Sequence, residues 1–517
     1  MAVSFLKALD KATLQFYHYV AIIIAGMGLF TDAYSFFSII PVTYLIGRIY
    51  YNPDKDGKPG TLPSSVLAAV VASVFAGSVV GQILFGFLGD RLGRRKVYGT
   101  TLLIIVLSSF LCGFSVGRSL NYVIVSLCFF RFFLGVGIGG DYPLSAVIMS
   151  EFANSKRRGA LVAGVFSMQG FGILSSALVT MVVCVIFKGV QPSTKDTLFP
   201  HPPPSADLAW RIILMMGTIP AIMTFYSRMA MPETPRYTAL VQGDMGRAIV
   251  ETTEIIKIDS AVAPDVEDRV ASSIRPDQYR FFSKQFFKRH GADLAACSIS
   301  WFLLDVVFYS ITLFQSWIYK SRLKHPQEET AFDEAFNLAK FQAIYAIAAL
   351  IPGYFAAIMT IDRMGRRKIQ MVGFLLMAIV LLCMVIWYPT IDSNNKHHTY
   401  KISIIYLVMY GLVLFFANLG PNTTTFVLPA ELFPARFRTT CHGIAGAAGK
   451  IGASIGSVVL LRSSKMTHKH DKYQDLPGEG MKHILIALTV VCFVGAVHTY
   501  FFTPKSTVGT PLEEHED

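Results

Sequence analysis

Twelve long runs of apolar residues leave this chain one kind of fold. They lie at roughly 20–45, 67–89, 96–116, 121–148, 158–187, 209–230, 292–318, 338–361, 368–388, 401–428, 438–463 and 481–503. A helix needs about 20 such residues to cross the hydrocarbon core of a bilayer. No water there satisfies peptide groups, so a span must be a helix or part of a closed barrel. A barrel would read as short alternating segments, and these runs are long and unbroken. The expectation is an all-α, multi-pass membrane protein with twelve transmembrane helices in the lipid bilayer. A composition of 53% hydrophobic and 15% charged residues agrees.

A repeat divides the twelve. Asp90-Arg91-Leu92-Gly93-Arg94-Arg95-Lys96 recurs as Asp362-Arg363-Met364-Gly365-Arg366-Arg367-Lys368, each copy after an apolar run. Repetition about half a chain apart means two copies of one multi-helix unit. The expected organisation is a six-helix bundle over 1–230, a linker over 231–291, a second bundle over 292–505 and an acidic tail over 506–517. Lys and Arg are more numerous on the side carrying the repeated strings, which puts that side and both termini in the cytoplasm, although the opposite segment Lys465 to Lys472 is basic too. Arg131, Arg211, Lys340 and Lys450 lie in or at helices. The net charge of +12 is then mostly this bias, and no motif supports a nucleic-acid partner.

Other classes find little footing. Met1 to Gln15 is amphipathic, and the first apolar run is too long for a cleavable signal peptide. The seven cysteines lie in or beside predicted helices without metal-ligand spacing, so neither a disulfide nor a metal is expected. No nucleophile–base pair or ATP-binding loop is present, so neither an enzyme nor a cofactor is expected. Pro232-Glu233-Thr234-Pro235-Arg236 reads as a charged turn that stops a helix.

The repeat also serves as a ruler. Asp32 lies 58 residues before the first string and Asp305 lies 57 before the second, so these carboxyls hold nearly equivalent places. Glu151 to Arg158 and Glu431 to Arg438 share one spacing. Counting from those anchors pairs Asp141 with Pro421 and Tyr142 with Asn422, and brings Gln169 and Lys450 to nearly matched depth. A pseudo-twofold axis gathers such positions near the bilayer centre, where carriers place their substrate sites.

Trp301, Asp305 and Tyr309 follow at i, i+4 and i+8 and share one helix face. A lone charge in hydrocarbon costs on the order of 3 kcal/mol, so an intramembrane Asp is expected to face a cavity. Gly135-Val136-Gly137-Ile138-Gly139-Gly140 is no nucleotide loop, because no strand precedes it; its small residues allow helices to approach closely. Arg131 sits about 15 Å along the same helix from Asp141, too far to pair with it but able to neutralise another carboxylate. The sequon at Asn422 falls inside a span and carries no weight.

Gly139-Gly140-Asp141-Tyr142-Pro143-Leu144-Ser145, Phe30-Thr31-Asp32-Ala33-Tyr34, Trp301-Phe302-Leu303-Leu304-Asp305 and Gly420-Pro421-Asn422-Thr423-Thr424-Thr425-Phe426 together resemble the plant high-affinity phosphate/proton symporters of the major facilitator superfamily, over about residues 5–505. The resemblance implies two pseudo-symmetric six-helix bundles and proton-coupled uptake of inorganic phosphate across the plasma membrane by alternating access. It implies phosphate binding by Tyr142, Gln169, Trp301, Asp305, Tyr309 and Asn422 with Lys450 nearby, and a proton path through Asp32, Asp141 and Asp305. The repeated strings, with Asp90, Arg91, Arg94, Asp362, Arg363 and Arg366, are expected to latch the halves on the cytoplasmic face, unless their charges serve topology alone. Two positions depart from the family pattern: Ser35 stands where an acid is usual, and Ile311-Thr312 stands where Gln-Asn is usual.

The chemistry of such a site is coherent. A carboxylate repels a bound anion unless it carries a proton, which also makes it a hydrogen-bond donor. Tyr, Gln, Asn and Trp add neutral donors that do not prevent release. Two alternatives stay open: a phosphate sensor with weak or no transport, and a carrier of the same fold for a sugar or another anion.

Overall fold

The computed structural model describes residues 16–51, 60–115, 120–190, 205–256, 279–320, 330–387, 396–463, 479–504 and 512. Twelve helices in it are long and apolar enough to cross a membrane: α1 His18–Tyr50, α2 Ser64–Leu92, α3 Arg94–Gly113, α4 Asn121–Phe152, α5 Arg158–Gly189, α6 Ser205–Ala230, α7 Lys284–Gln315, α8 Ala331–Met364, α9 Arg366–Ile386, α10 Ile404–Leu432, α11 Arg438–Leu461 and α12 Gly480–Phe502. The expected Met1–Gln15 segment, the basic Lys465–Lys472 segment and the acidic tail at 506–517 fall wholly or almost wholly outside the described residues.

Each expected span is a helix, and the departures have local causes. α7 begins at Lys284 rather than 292, because Lys284, Lys288 and Arg289 carry its first turns beyond the apolar run. α10 breaks at Gly420, after which Pro421 opens a fresh helix that reaches Leu432; a proline suits a first helical turn and cannot donate in an inner one. α8 carries a π-helical turn at Ala346–Leu350, just before Pro352. Between α6 and α7 the described part of the linker includes the helix Met245–Ile256.

Small residues set how closely the helices pack. α2 and α4 mesh through two glycine pairs: a Cβ on Gly77 would lie 1.9 Å from the carbonyl oxygen of Phe132, and one on Gly135 would lie 2.1 Å from that of Val74. Gly81 and Gly139 repeat the arrangement one turn further on, against Val136 and Ser78. Lipid does not push apolar helices together, so this close backbone approach supplies the dispersion contact that holds them. The glycine run of α4 is thus a packing surface. The two halves of the chain meet mainly where α2 packs on α11 and α5 packs on α8, pairs related by the internal repeat.

A side chain at the α2–α4 seam should therefore be costly. Gly139→Val would place its Cβ 2.2 Å from the carbonyl oxygen of Ser78. Overpacking of this kind costs about 1–3 kcal/mol. The unfolding temperature of the detergent-purified protein is expected to drop by several degrees, whereas Leu103→Val on the exposed face of α3 should leave it unchanged. Equal melting of both variants would contradict the close-packed seam.

Candidate functional site

The sequence-predicted polar residues within the spans gather mainly in two regions. In the first, Lys450 of α11 donates from Nζ to Asp305 Oδ2 at 2.9 Å and to the Tyr309 hydroxyl at 3.1 Å. The same ammonium lies 4.8 Å from the Tyr309 ring centre and 5.2 Å from that of Tyr142. All four residues are buried. Trp301 stands on the same face of α7, its ring edge-on to His442 at 5.4 Å and close against Gly449 of α11.

A chain of neutral donors crosses the interface between the halves. Gln169 of α5 donates to the Tyr142 hydroxyl at 3.2 Å, and the Tyr354 hydroxyl of α8 donates to Gln169 Oε1 at 2.7 Å. Asn422 of α10 donates to the Tyr354 hydroxyl at 3.2 Å and to Asn418 Oδ1 at 2.7 Å. Tyr142, Gln169, Trp301, Asp305, Tyr309, Asn422 and Lys450 thus converge on one buried region, as the spacing led one to expect. Tyr354, Asn418 and His442 were not anticipated. Counting back eight residues from each repeated string reaches Gln82 on α2 and Tyr354 on α8, a matched polar pair that the ruler could have delivered.

The second set lies among the helices of the first half. Arg228 of α6 holds Asp141 with two hydrogen bonds, 2.7 and 3.2 Å, and both side chains are fully buried. Thr101 and Ser145 also donate to Asp141, at 3.4 and 3.5 Å. Gly28 lets α1 pass this pair, since a Cβ there would lie 1.8 Å from Asp141 Oδ2. Arg228 was missed because it sits near the end of its apolar run, where a cation reads as an interfacial charge. Asp32 is fully buried, and neither carboxyl oxygen has a hydrogen-bond partner among the described residues. Asp32 and Asp305 are equivalent in the repeat, yet only Asp305 has a cation in hand. Ser35 is buried as well, its hydroxyl without a hydrogen-bond partner among the described residues.

The end of the molecule that carries the repeated strings is closed by a crossed pair of caps. Asp90 of the first half accepts from the Thr439 and Thr440 backbone N–H groups, at 3.2 and 2.8 Å, and from the Thr440 hydroxyl at 2.6 Å, at the start of α11. Asp362 of the second half accepts from the Ala160 N–H at 2.9 Å, at the start of α5. A helix start presents unpaired N–H groups and partial positive charge, so each carboxylate binds the other half of the molecule there. Glu151 joins in, pairing with Arg94 at 3.2 Å and with Arg438 at 3.0 Å, while Arg366 holds Glu431 at 2.6 Å and Asp362 at 2.9 Å. Gly93 and Gly365 take φ of 98° and 84°, which turns the chain between helices in each string.

Arg91 and Arg363 are exposed, and Arg91 lies over the Phe87 ring at 4.2 Å. Neither enters these caps. The turn at Pro232–Arg236 does more than stop a helix. Glu233 accepts from the Arg94 and Arg95 N–H groups at 3.1 and 3.3 Å, Thr234 donates to Glu151, and Arg236 holds the Ser150 and Glu151 carbonyls. Burial pushes the Glu233 carboxyl above its ordinary value, against the pull of its N–H donors and of Arg94. Arg131 has no carboxylate within ion-pair distance among the described residues; its Nε donates to the Val70 carbonyl at 3.1 Å. It therefore does not neutralise another carboxylate as expected.

Two helical bundles, a buried polar site at their interface and caps related by the repeat define a multi-pass membrane carrier of the major facilitator class. A family model for sugar (and other) transporters matches residues 20–517. The chain is 51% identical to the "Probable inorganic phosphate transporter 1-10" of Oryza sativa subsp. japonica, over 99% of this chain and 92% of that protein. It is 49% identical to the "Probable inorganic phosphate transporter 1-9" of Arabidopsis thaliana, over 99% and 96%. It is 47% identical to the "Low affinity inorganic phosphate transporter 3" of Petunia hybrida, over 98% and 94%. The chain belongs to this family of plant inorganic phosphate transporters. Its fold matches the proton:xylose symporter XylE bound to 6-bromo-6-deoxy-D-glucose with a TM-score of 0.72 at 18% identity, covering 97% of this chain and 99% of that one.

The caps generate a direct expectation. Cys441 is fully buried one residue beyond Thr440, and its thiol is free. Asp90→Ala removes the carboxylate that ties α2 to the start of α11. In inside-out vesicles, alkylation of Cys441, followed by mass spectrometry, is expected to speed up by about tenfold, the change for a loss of about 1.4 kcal/mol of closure. Unchanged labelling would show that Asp90 does not hold this end of the molecule shut.

Proposed function

We propose that this chain carries inorganic phosphate together with protons across the plasma membrane into the cell, with both termini cytoplasmic and the two bundles over 1–230 and 292–505 rocking about the central site. The observation that supports this most strongly is the sharing of Lys450 between Asp305 and Tyr309 in a region otherwise lined by neutral donors. An entering phosphate attracts the Lys450 ammonium and competes with Asp305 for it. Asp305 is then a buried carboxyl beside an anion and short of its cation, and a proton removes the repulsion. Each event makes the other easier, as linkage requires.

Tyr142, Gln169, Trp301, Tyr309 and Asn422, with Tyr354 added from the geometry, offer hydroxyl, amide and indole donors to the oxygens that Lys450 does not reach. Asp32, buried and without a hydrogen-bond partner among the described residues, offers a second place for a proton, beside the paired Asp141 and Arg228. Asp90, Arg94, Asp362 and Arg366 close the cytoplasmic side during loading and part on release. Arg91 and Arg363 act through topology, as exposed positive charges. A neutral sugar would gain nothing from displacing Lys450 from Asp305, which disfavours the sugar reading.

Two outcomes test this. Labelled phosphate uptake by a host lacking its own phosphate transport should rise as the external pH falls and collapse with an uncoupler; accumulation indifferent to both would overturn proton coupling. Asp305→Asn, which keeps a hydrogen-bonding amide and loses the titrating proton, should still bind phosphate by calorimetry while losing concentrative, pH-dependent uptake. A variant that concentrates phosphate with the original pH profile would remove Asp305 from the coupling role.

A further inference from the structure

On the outer side of the central site a second cavity lies between the halves. Phe36, Phe37, Ile39 and Ile40 of α1, Val71, Val74 and Phe75 of α2, Arg131 of α4, Tyr309, Thr312 and Leu313 of α7 and Ser457 of α11 line it, around a volume of about 30 Å³. That is room for about two waters. Its lining is apolar except for two hydroxyl residues, the Tyr309 phenol and one cation. Arg131 is 1% exposed, and its Nη1 has no hydrogen-bond partner among the described residues. No carboxylate on α1, α2, α7 or α11 stands within ion-pair distance of it among the described residues.

A buried guanidinium without a counter-ion is costly, and structures normally pair one with an acid. Arg131 holds only the Val70 carbonyl, which leaves most of its donors for something else. The cavity adjoins the phosphate region through an aromatic partition: the Phe75 and Tyr309 rings stand edge-on at 4.8 Å, and Phe36 stacks on Phe75 at 5.5 Å. Tyr309 is common to both sides, because its hydroxyl takes a hydrogen bond from Lys450.

We propose that Arg131 forms an outer anion station: when the Phe36–Phe75–Tyr309 partition and the surrounding helices part on the outer side, the guanidinium receives the incoming phosphate and passes it along Tyr309 to Lys450. In the arrangement described here the cavity, at about 30 Å³, is too small for the anion. A planar guanidinium binds phosphate oxygens in pairs, and a cation inside a low-dielectric funnel raises the local anion concentration. The neighbouring walls supply no competing acid, so the station attracts the anion without a second charge to displace.

This rests on the phosphate-transport reading, and the experiment separates the two. Uptake kinetics would be measured for the full-length protein and for Arg131→Gln, Arg131→Lys and Ser457→Asp, after each variant has been shown to fold by its melting temperature. Ser457→Asp leaves Arg131 in place and gives it a carboxylate across the cavity. The station requires KM for phosphate to rise by about tenfold in Arg131→Gln and in Ser457→Asp, with the maximal rate changed less than twofold, and Arg131→Lys to restore much of the loss. A maximal rate that falls with KM unchanged would make Arg131 a packing residue for α2 and overturn the proposal. If Arg131→Gln does not fold, an unaltered KM in Ser457→Asp overturns it equally. If the parent protein takes up no phosphate, the underlying reading fails before the station is reached.

Discussion

A charge sealed inside the bilayer has to be paired, and most of this structure follows from where that rule is met. Asp141 has Arg228 and Asp305 has Lys450, both pairs buried at hydrogen-bonding distance. Breaking a buried pair by removing one partner typically costs 3–5 kcal/mol, so each pair fixes its helices: α4 to α6 within the first half, α7 to α11 within the second. Among the described residues neither Asp32 nor Arg131 forms an ion pair. On the proposed reading, those two side chains are where a proton or an anion acts.

The same reasoning accounts for the caps at the repeated strings. Asp90 and Asp362 each accept hydrogen bonds from the start of a helix in the opposite half, so closing that end and stabilising two carboxylates are one event. Opening exposes both groups to water, which solvates them well, so the closed and open forms can lie close in free energy. A carrier needs that balance, because a deep minimum on either side would stop the cycle.

Much of this was legible in the sequence. The apolar runs specify the helices because hydrocarbon allows no alternative, and α11 begins at Arg438 as read. The repeat located Asp32, Asp305, Tyr142, Asn422, Gln169 and Lys450 because symmetry converts spacing into depth. Partners were less legible. Tyr354 looked like one more aromatic in an apolar helix, and Arg228 like a charge at the water line. Glu151, Glu431 and Arg438 served as spacing marks although they are parts of the caps themselves. Glu233 and Thr234 read as a helix stop, since their partners Arg94 and Glu151 lie more than 80 residues away. Periodicity reports which face is polar and not what that face meets.

The central claim is that phosphate and proton bind together because phosphate draws Lys450 from Asp305, which then takes the proton. Calorimetry of phosphate binding to the purified protein, in buffers of different ionisation enthalpy, counts the protons taken up per anion bound. The account requires fewer protons for Asp305→Asn than for the parent protein at the same pH, the anion's own protonation being common to both. Identical proton counts in the two proteins would contradict it.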